Sequence, residues 1–156
     1  MPSSKKPRKP YRPKRVLRNP IEWVVTGVKP ATEDAQTKLK VGLHWSMAKI
    51  TKGEGDTTDW QNVSDALNVS MVLCEMGLGK EYLPELETAM YAMVDLRDRY
   101  KKTGRMVLKA LEMQAINLGL ELHDEQIAVA PVKDMELALA EVQRRLASRN
   151  FVKRAA

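Results

Sequence analysis

Thr58-Asp59-Trp60-Gln61-Asn62-Val63-Ser64-Asp65-Ala66-Leu67-Asn68-Val69-Ser70-Met71-Val72-Leu73-Cys74-Glu75-Met76-Gly77-Leu78-Gly79 reads as one long helix. Trp60, Val63, Leu67, Met71, Cys74 and Leu78 recur every three or four residues, the spacing that lays side chains along one helical face. Thr58 with Gln61 three residues later has the pattern of a capping box, and Gly77 and Gly79 supply a stop. Val63 through Ser70 also has the outline of a helix-turn-helix with Asn68 at the turn. The helix after that turn would offer Met71, Val72, Leu73 and Cys74 to base edges, which these side chains cannot read. One continuous helix is the better expectation.

The same periodicity extends in both directions. Upstream, Asn19-Pro20 suits the opening of a short helix over residues 21–28. Thr32 then caps a helix with Glu33 and Asp34 in its first turn and Leu39, Leu43, Met47 and Ile50 inward. Lys52-Gly53-Glu54-Gly55-Asp56 is a loop. Downstream, a helix from Lys80 or Pro84 to Lys102 turns Leu86, Met90, Met93, Val94 and Tyr100 inward and ends at Gly104. Its surface is expected to carry the pairs Asp95–Arg99 and Asp98–Lys102.

Leu108, Leu111, Ala115, Leu118 and Leu122 mark the buried stripe expected of the next helix. Asp134 opens the last, with Met135, Ala138, Leu139, Val142 and Leu146 inward. The fold class is therefore all-α: an irregular bundle of five to six mostly antiparallel helices. Residues 1–20 form a basic, proline-rich arm, 21–148 the helical domain, and 149–156 a short basic tail.

Charge is sharply partitioned along the 156 residues. Lys5, Lys6, Arg8, Lys9, Arg12, Lys14, Arg15 and Arg18 give residues 1–20 a charge of +8. Arg144, Arg145, Arg149, Lys153 and Arg154 give residues 144–156 a charge of +5, while residues 21–143 carry −7. Five of the eight prolines also fall in the first twenty residues, so that arm is expected to be extended and disordered when free. Cations without acids are the footprint of phosphate contact, so nucleic acid, DNA or RNA, or a nucleoprotein assembly is the expected partner. The expected contacts are the eight arm cations together with Arg144, Arg145 and Arg149. A host protein complex bound through the acidic body is the alternative.

Chemistry is sparse. Gly77-Leu78-Gly79-Lys80 departs from a phosphate loop, having Cys74 where the first glycine belongs and Glu81 in place of Ser or Thr. Cys74 is the single cysteine and falls on an apolar stripe, which suits a core thiol. His44 and His123 lack the Glu-x-x-His spacing of di-iron bundles. Glu121, His123, Asp124 and Glu125 point in different directions on a helix and make a poor metal set. A non-enzymatic protein without cofactor, metal or membrane span is expected, with no secretory leader and hence a cytoplasmic location.

Ala66-Leu67-Asn68, Gly77-Leu78-Gly79-Lys80-Glu81-Tyr82, Thr103-Gly104-Arg105, Glu121-Leu122-His123-Asp124 and Asp134-Met135-Glu136 follow one another after the Lys/Arg/Pro-rich opening. In that order they resemble a family of small uncharacterised proteins from proteobacterial prophages and related mobile elements. The resemblance spans most of the chain and implies a phage or mobile-element accessory. It makes modulation of host machinery, including anti-defence activity, a more natural expectation than metabolism.

Overall fold

A computed structural model describes residues 33–149. Five α-helices account for most of them, and no strand occurs among the described residues: α1 (Glu33–Thr51), α2 (Thr57–Glu75), α3 (Leu83–Thr103), α4 (Ala110–Val129) and α5 (Val132–Ala147). A single 3-10 turn, Lys80–Tyr82, precedes α3. The arm, the short helix expected over 21–28, Thr32 and the last residues of the tail lie outside the described residues.

Helix α2 is unbroken, so the stretch from Val63 to Ser70 contains no helix-turn-helix. Its cap lies two residues before the expected Thr58. The Asp56 carboxylate accepts from the Thr58 and Asp59 amides at 2.8 and 2.9 Å, and Asp59 returns the bond to the Asp56 amide at 3.1 Å. Asp at both positions satisfies the exposed amides as Thr and Gln would have done, one turn edge earlier. At the other end Gly77 takes φ +104°, a conformation glycine adopts without strain. Its amide bonds the Cys74 carbonyl, and the Leu78 amide reaches back to the Leu73 carbonyl, both at 2.9 Å. That crossed pair is a Schellman ending, and it folds Leu78 back onto the apolar surface.

Side-chain contacts set the directions. Lys49 meets Asp59, and Asn62 bonds Ser46, so α1 and α2 are antiparallel. The Trp60 indole donates to the Met93 carbonyl at 2.8 Å, while Leu67 lies level with Leu86 and Ala89. Thus α3 runs against α2. Arg99 reaches Glu112 and the Val107 carbonyl, which closes α3 and α4 as a hairpin. Of the residues in the two expected pairs on α3, Arg99 makes its hydrogen bonds to Glu112 while still feeling the Asp95 charge, and Asp98 joins Arg97 at 3.1 Å. Arg99 turns to Glu112 across the turn because that carboxylate is largely enclosed and is already held in place by the Lys109 amide.

Helix α2 is enclosed nearly all round. A first cluster gathers Leu43, Met47, Ile50, Val63, Leu67, Leu86, Met93, Leu96, Ile116 and Leu120 from α1 to α4. A second joins Val69, Val72 and Leu73 to Ile127 of α4 and Met135, Ala138, Leu139 and Val142 of α5, with Leu39 packed against it. The single stripe expected on α2 is therefore correct but incomplete. Where α2 and α3 press on α4, Gly119 stands at the crossing. A Cβ there would lie 2.7 Å from Leu67 Cδ2 and 3.0 Å from the Ala89 Cβ.

The stripe expected on α4 holds at its two ends, where Leu122 is buried and Leu108 packs against the core, and fails in between. Leu111 is 78% exposed and Leu118 44%, whereas Ile116, Gly119, Leu120, Leu122, His123, Gln126 and Ile127 are buried. Leu146 of α5 is likewise exposed. Leucines do not mark the inward face of α4, since Leu120 and Leu122 are buried while Leu111 and Leu118 are exposed, and that face also carries a histidine, a glutamine and a glycine. Leu67→Ala is accordingly expected to lower stability by about 2–5 kcal/mol in chemical denaturation. Leu111→Ala should change it by less than ~0.5 kcal/mol. Gly119→Ala should also destabilise, since overpacking of about 1–3 kcal/mol exceeds the gain of ~1 kcal/mol in helix propensity.

Candidate functional site

Two groups of residues carry chemistry in the described domain: a buried polar seam between α2 and α4, and a charged cluster where α5 meets the end of α2. The seam begins at Ser70 and Cys74, one turn apart on α2, facing His123 and Gln126 of α4. Ser70 Oγ and His123 Nδ1 lie 2.8 Å apart. The Gln126 amide donates to the carbonyls of Ser70 and Leu78, at 3.2 and 2.9 Å, and to Cys74 Sγ at 3.2 Å. The Cys74 thiol donates to the Gly79 carbonyl at 3.0 Å.

A serine hydroxyl against an imidazole is the geometry of a nucleophile and its base. Here Ser70 has no solvent access and His123 is fully enclosed. Burial pushes the His123 imidazole down to about 4; the Asp124 charge opposes this, while His44 and Lys40 add to it. Burial likewise pushes the Cys74 thiol up, against the bond from Gln126. A neutral histidine and an un-ionised thiol, both sealed, serve as hydrogen-bonding groups that fix the register of α4 on α2. On the rim of this seam His44 Nε2 and Asp124 Oδ2 are 2.7 Å apart, tying α1 to α4. Among the described residues no cluster of His, Cys, Asp and Glu has the composition and proximity to hold a metal. No helix there is long and apolar enough to cross a membrane.

The eight expected arm contacts, Lys5 through Arg18, lie outside the described residues. The other three belong to the end of α5. Arg144 makes a two-pronged bond to Glu141, both contacts 2.7 Å. Arg145 bonds Glu141 at 2.7 Å and also grips Glu75 at the end of α2. The two arginines hold the Glu141 carboxyl at about 2, and the Glu75 and Glu141 carboxylates raise Arg145 above its ordinary value. Arg145 thus ties α5 to the end of α2, Arg144 pairs within α5, and the charge of both is offset locally. Arg149 is exposed just beyond the helix. Leu39 of α1 and Val142 of α5 share the second cluster, so the segments leading to the two basic ends pack against the same half of α2.

Two features escape sequence reasoning. The Ser70–His123 pair joins residues 53 positions apart, and no local spacing announces it. Trp45 stands 66% exposed on the outer face of α1, where the apolar stripe of that helix gives no reason to look. Comparison of the chain with family models, with curated proteins and with solved structures finds no match.

The seam predicts a pH response. Unfolded, His123 takes up its proton near pH 6.5; folded, it does so only near pH 4. Between those values the unfolded chain binds more protons, so stability falls as pH drops through the window and is fully present above it. The loss approaches about 3 kcal/mol at pH 4. Melting temperatures measured from pH 7 to 4.5 should fall in the wild-type protein and run flatter in His123→Gln.

Proposed function

We propose that this protein is a non-enzymatic accessory factor whose basic arm binds nucleic acid or a nucleoprotein assembly. One observation carries the reading: +8 and +5 at the two ends, set against −7 between them. A domain of net negative charge gains nothing from two long cationic ends unless those ends meet a polyanion or an acidic surface. The arm cations Lys5, Lys6, Arg8, Lys9, Arg12, Lys14, Arg15 and Arg18 make the principal phosphate contacts. Arg149 adds to them, and Arg144 and Arg145 contribute less because Glu141 and Glu75 already hold them. The sequence resemblance to prophage and mobile-element accessories supports a factor of this kind that acts inside a bacterial cell.

A second reading, binding of a host protein complex, draws on the exposed stripe of α4. Leu111, Leu118 and Val129 lie on one side of that helix and are uncovered. Side chains of this kind mark protein contacts more often than phosphate contacts.

The two readings separate in a salt titration. With six arm cations on phosphates, log affinity should fall against log salt with a slope of about −4 to −5. Deleting residues 2–18 should flatten that slope and leave the domain's melting temperature unchanged. Absence of salt-sensitive binding to DNA and RNA at low ionic strength would transfer the function to the protein-binding reading.

A further inference from the structure

We infer that the outer face of α1, centred on Trp45, is a stacking platform for single-stranded nucleic acid. The inference rests on the nucleic-acid reading above and assigns part of the contact to the folded domain. From Ala35 to Gly53 the chain contains Lys38, Lys40, His44, Lys49 and Lys52 and no acid, in a body that is otherwise acidic. Lys38, Val41 and Trp45 follow one another at spacings of three and four, which places them on one face of α1, and Lys52 lies just past the end of the helix, seven positions after Trp45. That face points away from the core. Leu43, Met47 and Ile50 occupy the opposite side and are buried, while Val41 is 63% exposed.

Seven residues separate Trp45 from each flanking lysine, about 10 Å along the helix on either side. An exposed aromatic ring with a cation above and below it is the arrangement that holds an unpaired base and its neighbouring phosphates. The second tryptophan of the described domain shows the contrast. Trp60 bonds the Met93 carbonyl and lies under the Arg97 guanidinium, whereas Trp45 makes no hydrogen bond among the described residues.

The cationic surface continues past the end of α1. A Cβ on Gly53 would stand 3.8 Å from the Met106 carbonyl, so Lys52 ends beside the turn between α3 and α4. That turn carries Lys101, Lys102, Arg105 and Lys109, all exposed, with no acid from 101 to 109. Glu54 is exposed in the neighbouring loop, Asp56 is occupied as a cap, and Asp59 neutralises Lys49 at 2.7 Å. Cations still prevail at this end of the bundle. Acids such as Glu75, Glu81, Glu85 and Glu87 gather at the other, around the end of α2 and the start of α3.

The shape of the site selects its ligand. A ring on the convex surface of a helix can stack only on a base with a free face, which a duplex does not offer. A membrane surface needs a broad apolar helix face, and here Val41 and Trp45 are the whole of it.

The test is anisotropy with a fluorescein-labelled 20-nucleotide oligothymidylate and the full chain. Trp45→Ala should weaken binding about tenfold, and Trp45→Phe should restore it to within about threefold of wild type. Lys38→Glu with Lys52→Glu should reduce the salt slope by about 1.4. All these variants should melt with the wild type. Unchanged affinity in Trp45→Ala would overturn the platform. In that event, loss of binding on Lys5→Gln, Lys6→Gln, Arg8→Gln and Lys9→Gln together would leave the arm's role standing. Absence of binding by the wild-type chain would remove both. A clearly lower melting temperature in Trp45→Ala would show that another part of this chain covers the ring, and equal competition by duplex would show that no stacking occurs. Either result refutes the inference, as does a Trp45→Ala defect confined to phosphatidylserine vesicles.

Discussion

Helix α2 has almost no solvent face between Val63 and Cys74, and this enclosure governs the rest of the molecule. A helix surrounded on all sides depends on its neighbours to answer its side-chain polar groups, since an unanswered one, as Ser64 Oγ is, loses water without compensation. Ser70 is answered by His123, and the carbonyl of Ser70 and the sulfur of Cys74 by Gln126. Only one longitudinal position of α4 against α2 satisfies all three. Shifting α4 by a turn would break these bonds and also drive other side chains into the crossing now occupied by Gly119. The apolar clusters supply the gross stabilisation, and the seam selects one register from the several that leucines alone would tolerate.

This explains why the sequence reveals some helices more faithfully than others. The stripes of α1 and α3 were legible because one apolar face meets one core: Leu43, Met47 and Ile50 are buried as spaced, as are Leu86, Met90 and Met93. Most of α2 was legible as an element, but its all-round burial was not, because Ser64 and Ser70 read as solvent-facing residues. Helix α4 was misread for the complementary reason. Its buried face holds Gly119, His123 and Gln126, residues that a hydrophobic count discards, and its four leucines divide evenly between the buried and the exposed sides. Caps were legible in kind and misplaced by a few residues, since Asp56 and Asp59 meet the same spacing rule as Thr58 and Gln61.

The candidate site was legible only as charge. Summing residues identifies two cationic ends and an acidic body, but a sum has no geometry. Arg144 and Arg145 count as two free charges in the sequence and as counterions of Glu141 and Glu75 in the fold. Conversely, the −7 of the body conceals the lysines of α1 and a basic turn, because several acids near them, Asp59, Asp98 and Glu112, are already paired and others gather at the opposite end. Net charge says whether a polyanion is repelled from afar; the local arrangement says where it can settle once an arm has captured it.

That distinction gives the arm and the α1 face different physical roles. A chain of eight cations acts over distance and is indifferent to sequence, so its contribution is steep in salt and weak in discrimination. A tryptophan on a fixed helix acts only in contact, is insensitive to salt, and requires a base that is not already stacked. Joined in one molecule, as proposed, the first would raise the local concentration of the ligand and the second would choose its strandedness. Either alone would be a poor receptor: the arm would accept any polyanion, and one ring with two lysines would bind too weakly to hold a strand against the repulsion of the acidic end. The division also explains why the domain needs a rigid register at all. A stacking ring is useful only if the helix bearing it keeps its position relative to the flanking cations, and α1 is held by the Lys49–Asp59 bridge, the Asn62–Ser46 bond and the His44–Asp124 pair.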